Sequence, residues 1–311
     1  MVLVFSKRYG IGIYMDTAPT YLLVGVDGGG TGCRVALSTV AGERLGDVAG
    51  GPANYSTDPE LAIRSVSAAL DAAADQAGLG PGWEGRCRAH IGLAGIMSSA
   101  DAAAVARAMR FAETVVSDDR ATSVAGALGE RDGMLAAIGT GTIIAGQKKG
   151  ATRFFGGWGH HLADQASGGW LGRSGLRRTM LAFDGLAEHS DLTRMLLAWF
   201  EDDPVGMIAF AQKATPGDFA SLARMIIEAA QSGDTTGKAL MQEGAGYLCL
   251  CIETLKLDTD TVLCLSGGVG PHYADYLPQA HRDRIRPPYG TALDGALALA
   301  RRGLDKQEGS A

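Results

Sequence analysis

The sequence predicts an α/β fold of two duplicated lobes, each a mixed five-stranded sheet flanked by helices, with a cleft between them. Three observations carry this. An apolar strand runs into glycines and a threonine, and straight out into another strand, at two places: Val24-Gly25-Val26-Asp27-Gly28-Gly29-Gly30-Thr31-Gly32 and Ala137-Ile138-Gly139-Thr140-Gly141-Thr142. Helices alternate with strands after the first of these hairpins, and a helical stretch follows the second. A late apolar run, Thr261–Leu265, ends in a third glycine turn, Ser266-Gly267-Gly268-Val269-Gly270.

Strands are expected at Leu22–Asp27, Arg34–Thr39 and Arg44–Ala49. Pro59–Ala77 is alanine-rich with an apolar stripe at Leu61, Val66 and Leu70, a helical spacing that Gly78 and Pro81 end. His90–Gly95 reads as a buried strand, Asp101–Arg110 as a helix and Thr114–Ser117 as a short strand. The pattern restarts with strands at Met134–Ile138, Thr142–Gln147 and Thr152–Phe155. A helical region from about Gly169 to Thr254 follows, broken near Asp184, Pro204 and Pro216, before the late strand and a final amphipathic helix, Ala292–Arg302. The domains expected are 21–128 together with 292–311, and 129–291 carrying the helical insertion. Residues 1–20 are expected to be a poorly ordered extension. Their apolar residues precede Lys7 and Arg8, the reverse of an export signal.

The chain has 311 residues, enough for two domains, and a formal net charge of −6. With no basic stripe, nucleic-acid binding is not expected, and no span suits a membrane. The five cysteines (Cys33, Cys87, Cys249, Cys251, Cys264) form no Cys-x-x-Cys pair, so neither structural zinc nor a disulfide framework is expected. That usage fits a cytoplasmic protein.

Glycines leave backbone N–H groups bare, so two such loops suit a phosphate chain approached from two sides. A dinucleotide site would need its glycine loop to open a helix; here the β-branched run Arg34–Val40 follows instead. No Gly-Lys-Ser/Thr follows either, so the loop is a hairpin turn. A plain hairpin with excess glycine remains the other reading of this loop. Asp27 favours phosphate, because a carboxylate beside it suits magnesium or its waters.

Together these turns resemble the actin, hexokinase and heat-shock chaperone superfamily. Within it the chain is most similar to the branch of BadF/BadG/BcrA/BcrD-type ATPases that holds N-acetylglucosamine kinase, glucosamine kinase and the activators of benzoyl-CoA reductase. The resemblance spans roughly Tyr21 to Arg301, and its most specific piece is Gly156-Gly157-Trp158-Gly159 through Asp164-Gln165-Ala166-Ser167-Gly168. Two departures stand there: Gln165 replaces the usual Glu, and Ala163-Asp164 replaces Gly-Asp. The activators hold an iron–sulfur cluster on cysteines, and no loop pair of cysteines suits that here. The resemblance therefore implies actin-like, ribonuclease H-like lobes and an ATP-dependent kinase acting on the 6-hydroxyl of glucosamine or N-acetylglucosamine, with Mg2+, as a homodimer.

Such a reaction needs a phosphate cradle, a metal, a held sugar and a base. For the base the candidate is Asp119, at a strand end and helix start, where open α/β sheets place ligands; a helix N-cap is the plainer reading. Asp118 would contact sugar or cap the helix. The resemblance gives Asn54 a sugar hydroxyl, although alone it is an ordinary turn residue. Asp164 offers acceptors to paired hydroxyls and Trp158 a face for the ring, unless it is core; Thr140 and Gly159 complete the sugar set. Gly28, Gly29, Gly30 and Thr31, with Gly139, Thr140, Gly141 and Thr142, would hold the phosphates. Asp27 would hold magnesium through water, and Gly267, Gly268 and Val269 would lie against adenosine. His160 and His161 lack metal-ligand spacing and read as loop or core. A regulatory ATPase acting on a partner protein is the alternative. A sugar-sensing transcription regulator ranks last, because the segment before Tyr21 is too short for a helix-turn-helix arm.

Overall fold

The computed structural model describes residues 21–308, so the extension expected over 1–20 lies outside the described residues. The chain divides into two compact units: one ends at Ser123 and resumes at Ala292, the other is Val124–Thr291. The first runs β1 (Leu22–Gly28), β2 (Cys33–Thr39), β3 (Arg44–Gly50), α1 (Pro59–Gln76), β4 (Cys87–Leu93), α2 (Ser99–Ala108) and β5 (Glu113–Asp118). Helix α3 (Asp119–Leu128) contains the boundary. The second unit runs β6 (Gly133–Ile138), β7 (Thr142–Lys148), β8 (Ala151–Gly156), α4 (Gly168–Phe183), α5 (Asp191–Trp199), α6 (Pro204–Lys213), α7 (Pro216–Ala220), α8 (Ala223–Gln231), α9 (Thr235–Leu255), β9 (Val262–Ser266), a 3-10 helix at Gly270–Tyr276 and α10 (Gln279–Arg282). Helix α11 (Ala292–Glu308) returns to the first.

The first sheet has the order β3-β2-β1-β4-β5. β1, β2 and β3 form an antiparallel meander, while β4 and β5 lie parallel to β1. Period-two alternation sends its side chains to two cores. Leu22, Val24, Val26, Val35 and Leu37 meet Val66, Leu70 and Ala73 of α1. Leu23 and Ala36 meet Leu293, Leu297 and Ala300 of α11. Helix α1 starts where the sequence signals it: Pro59 takes the first position and the Asp58 carboxylate accepts from Leu61 N–H.

Among the described residues the second sheet has four strands, in the order β8-β7-β6-β9, not the five expected. The segment after β9 begins to pair, with an isolated parallel bridge between Leu263 and Ile285. Pro287 and Pro288 follow at once, and without N–H groups they cannot extend a ladder. One face of this sheet packs Leu135, Ala145 and Cys264 on Val124, Ala127 and Leu128 of α3. The other joins Met134, Ile138, Ile144 and Leu263 to the helices of the insertion. The insertion breaks at the three places expected, where Ser190 caps α5, Asp203 before Pro204 caps α6 and Thr215 before Pro216 caps α7. It also breaks, unexpectedly, before α8, which has no side-chain cap, and before α9, which Asp234 caps. Among the described residues no helix is long and apolar enough to cross a membrane.

Helices α4 and α7 meet at Gly172, where a Cβ would stand 1.9 Å from the Phe219 carbonyl oxygen. Overpacking of this kind costs about 1–3 kcal/mol. Gly172→Ala should therefore lower the melting temperature by several degrees. A melt superimposable on that of wild type would contradict the close approach.

Candidate active site

In the first unit, Asp27, Gly28, Gly29, Thr31 and Asp119 line one pocket of about 440 Å³. The hairpin turn is fixed by its own Gly29 N–H to Gly32 carbonyl bond of 2.9 Å. Ala94 and Ala53 N–H groups hold the Gly28 and Gly29 carbonyls at 2.8 and 2.9 Å. Gly28 is glycine because the fold demands it: a Cβ there would lie 2.5 Å from Leu93 Cδ2. Gly29 and Gly30 are different. A Cβ on Gly29 would come no nearer than 4.0 Å to anything, and one on Gly30 would meet nothing. Neither takes a left-handed φ. Nothing in the protein's own packing calls for glycine there, and the missing Cβ atoms leave room for a ligand over the turn, although the Gly29 N–H is itself engaged by the Gly32 carbonyl.

Asp27 is the last residue but one of β1 and Asp118 ends β5, so parallel pairing through β4 brings both to one end of the sheet. Asp118, not Asp119, caps α3: its Oδ1 accepts from Arg120 N–H at 3.1 Å and Ala121 N–H at 3.3 Å, and its Oδ2 accepts from Arg120 Nε at 2.9 Å. Asp119 begins the helix itself. Among the described residues, none but its own backbone N–H donates to its carboxylate, and burial, then Asp118 and Asp27, push its pKa up to about 6. Burial also raises Asp27, against the pull of Arg34. No group of three or more His, Cys, Asp and Glu side chains among the described residues could enclose a metal. Asp27 would therefore offer one carboxylate to a divalent cation, which suits magnesium, since that ion keeps waters and phosphate oxygens as its other ligands.

In the second unit, Gly139, Thr140, Gly268 and Val269 line a pocket of about 630 Å³. It is also lined by Ala223, Ile227 and Gln231 of α8 and by His272, residues that no sequence motif singles out. The only local signal in α8 is an amphipathic stripe, which any packed helix shows. A Cβ on Gly139 or on Gly268 would meet no atom within 4 Å, as at Gly30. Gly267 is φ +80° and tucked under the Ile138 carbonyl, so it serves the fold. The Gly139–Thr142 loop is stitched to the start of α4. Gly168 and Gly169 N–H groups donate to the Gly139 and Thr140 carbonyls at 2.7 and 3.1 Å, and Thr142 Oγ1 to the Gln165 carbonyl at 2.9 Å.

The predicted sugar residues divide. Asn54 is a turn residue in part: its Oδ1 accepts from Ser56 Oγ at 2.9 Å and Thr57 N–H at 3.2 Å. Its amide N–H groups donate to no described residue. Asp164 has its carboxylate 3.5 Å from the Cβ position of Gly141, beside the second loop. Trp158 is 76% exposed and so not core. Gly159 has φ +80°, and neither it nor Trp158 lines either pocket. The His160 and His161 rings lie 3.8 Å apart, tilted at 41°, and Arg173 Nη1 donates to the His160 carbonyl at 2.8 Å.

The sequence profile of the BadF/BadG/BcrA/BcrD ATPase family matches residues 24–287. The glucosamine kinase GspK of Vibrio cholerae is 30% identical over 279 residues, 89% of this chain and 95% of that protein. An N-acetylmuramic acid/N-acetylglucosamine kinase of Clostridium acetobutylicum is 28% identical over 261 residues, 79% of this chain and 85% of its own length. The crystal structure of a candidate N-acetylglucosamine kinase from Chromobacterium violaceum matches with a TM-score of 0.79 at 34% identity, covering 91% of this chain and 99% of the other.

The raised Asp119 pKa has a consequence for stability. The group titrates at 3.8 without its surroundings and at about 6 in the fold. Its folding penalty is absent below about pH 4, grows as pH rises to about 6, and is constant above, at up to about 3 kcal/mol. Without nucleotide, Asp119→Asn should gain melting temperature relative to wild type between pH 4 and pH 8. Comparing the two pH values cancels the cost of the buried amide. Parallel pH profiles for the two proteins would contradict the assigned environment.

Proposed function

The chain belongs to the BadF/BadG/BcrA/BcrD ATPase family, and we propose that it is an ATP-dependent kinase that phosphorylates the 6-hydroxyl of an amino sugar, glucosamine or N-acetylglucosamine. The observation that carries this reading is Asp119: a carboxyl with a raised pKa and no protein donor beyond its own backbone, lining the same pocket as an unobstructed glycine loop. The names of the two curated relatives supply the substrate class. The cysteines support a kinase over an iron–sulfur activator: Cys33, Cys87, Cys251 and Cys264 are buried and Cys249 is half-buried on α9.

In this reading Asp119, ionised above about pH 6, accepts the proton of the sugar 6-hydroxyl as that oxygen attacks the γ-phosphorus. The bond from the γ-phosphorus to the bridging oxygen breaks, and the electron pair leaves with ADP. Asp118 keeps α3 capped and adds a negative charge that holds Asp119 basic. The amides at Gly28–Thr31 and Gly139–Thr142 receive phosphate oxygens, and the pocket along α8 receives the nucleoside. Asp27 would hold Mg2+, and the ion, when bound, would neutralise phosphate charge. Asn54 donates from its free amide to a sugar hydroxyl, and Asp164 accepts from the sugar, with Thr140, Trp158 and Gly159 beside it. A cytoplasmic homodimer is part of the same proposal.

The test is purified protein with ATP and magnesium against glucosamine, N-acetylglucosamine, glucose and mannosamine. One amino sugar should give the highest kcat/KM, and ATP hydrolysis that ignores every sugar would favour the partner-directed ATPase instead. Asp119→Asn should lose about 10²–10⁴-fold in kcat while still binding sugar. The wild-type kcat/KM should rise with pH through about 6, the limb set by that carboxyl. Asp27→Ala should demand far more magnesium for half-maximal rate, and an unchanged magnesium requirement would remove Asp27 from the metal site.

A further inference from the structure

We propose that Tyr273 is a positioning residue for the acceptor sugar: its hydroxyl holds, through the Ala166 carbonyl, the strained turn that aims Asp164. The proposal rests on the reading of Asp164 as a sugar ligand.

The turn is unusual in its backbone. Asp164 has φ +64° and Ala166 φ +67°, two left-handed residues flanking Gln165. Aspartate visits that region with some ease; alanine gains nothing there and is strained by its Cβ. Such a conformation persists only where the surroundings impose it. Here three successive carbonyls are each tied down. The Asp164 carbonyl accepts from Ser167 N–H at 3.1 Å. The Gln165 carbonyl accepts from Thr142 Oγ1 at 2.9 Å. The Ala166 carbonyl accepts from Tyr273 Oη at 2.8 Å.

Tyr273 is built for that one bond. It is wholly buried, and burial pushes its pKa far up, so the phenol stays protonated and can only donate to a carbonyl. Its ring fills a slot left by Gly244 of α9, where a Cβ would stand 2.4 Å from the hydroxyl oxygen. A tyrosine present only to fill the core would leave its hydroxyl without this work, and phenylalanine would serve as well. Tyr273 also sits in the 3-10 helix that follows the Gly267–Gly270 turn, and Thr142 ends the Gly139–Thr142 loop. The two side chains that clamp the Asp164 turn thus come from the two segments carrying the glycine loops of this unit. Ordering either loop by nucleotide would firm the clamp on Asp164.

The experiment is steady-state kinetics of Tyr273→Phe on the full chain with the preferred amino sugar. KM for sugar should rise about tenfold, equivalent to about 1.4 kcal/mol, with KM for ATP and kcat at saturating sugar held within about twofold. Adding Ala166→Gly should recover part of the sugar KM, because glycine reaches the left-handed angle without strain even though it is not confined to it. In an Asp164→Ala background, Tyr273→Phe should add nothing. An unchanged sugar KM in Tyr273→Phe, or equal rises in both KM values without rescue, would overturn the proposal. Should Tyr273→Phe fold poorly, Gly244→Ala displaces the same hydroxyl and should raise the sugar KM likewise; a normal sugar KM there overturns it too. If Asp164→Ala itself leaves sugar KM unchanged, the sugar assignment of Asp164 is what has failed.

Discussion

A backbone amide can meet a phosphate closely only where no Cβ stands over it and the loop around it is held still. Both requirements are met here, by different glycines. Gly28 and Gly267 are fixed by packing, one against Leu93 and the other under the Ile138 carbonyl. Gly29, Gly30, Gly139 and Gly268 stand beside or between them with nothing of the protein in their way. The packed glycines anchor each turn and the open ones leave space over it, while the Gly29 and Gly139 N–H groups are engaged within the turns by the Gly32 and Gly141 carbonyls. The remaining candidate residues take their positions from these turns, because each turn ends a strand and so marks the sheet end where side chains from neighbouring strands converge.

Adjacent aspartates at the end of β5 show how one helix start can divide two identical groups. The cap position gives Asp118 two backbone donors, and Arg120 closes on the other oxygen. Its charge is held. Asp119, one residue on, faces the pocket with no donor but its own backbone N–H, so burial and then its neighbour's negative charge outweigh that bond and the more distant pull of Arg120. A carboxyl in that position exchanges a proton near neutrality, which is what an acid–base role requires and an ion pair would prevent.

What could be read in the sequence was local. The hairpins, the strand-end aspartates and the breaks at Asp184, Pro204 and Pro216 announce themselves in glycine, proline and period-two patterns. The fifth strand of the second sheet was expected from the duplication. It fails because Pro287-Pro288 halts the ladder one bridge in, a signal weaker than the symmetry it contradicts. Asn54 is both a turn residue and a free donor, so neither reading excluded the other. The wall that α8 gives to the second pocket was invisible, because Ala223, Ile227 and Gln231 look like any helix until the glycine loops are folded against them.

Ala166 was the least legible residue of all, and its chemistry explains why an alanine there is informative. A glycine would reach φ +67° and many other angles besides, leaving Asp164 to wander. An alanine reaches that angle only while hydroxyls and an amide hold the carbonyls around it. The cost of the strained residue is thus exchanged for a narrower set of positions of the neighbouring carboxylate, and a ligand that needs that carboxylate loses less freedom on binding. A left-handed alanine clamped by two side-chain hydroxyls is then preorganisation written in the backbone, and no propensity for helix, strand or turn could have announced it.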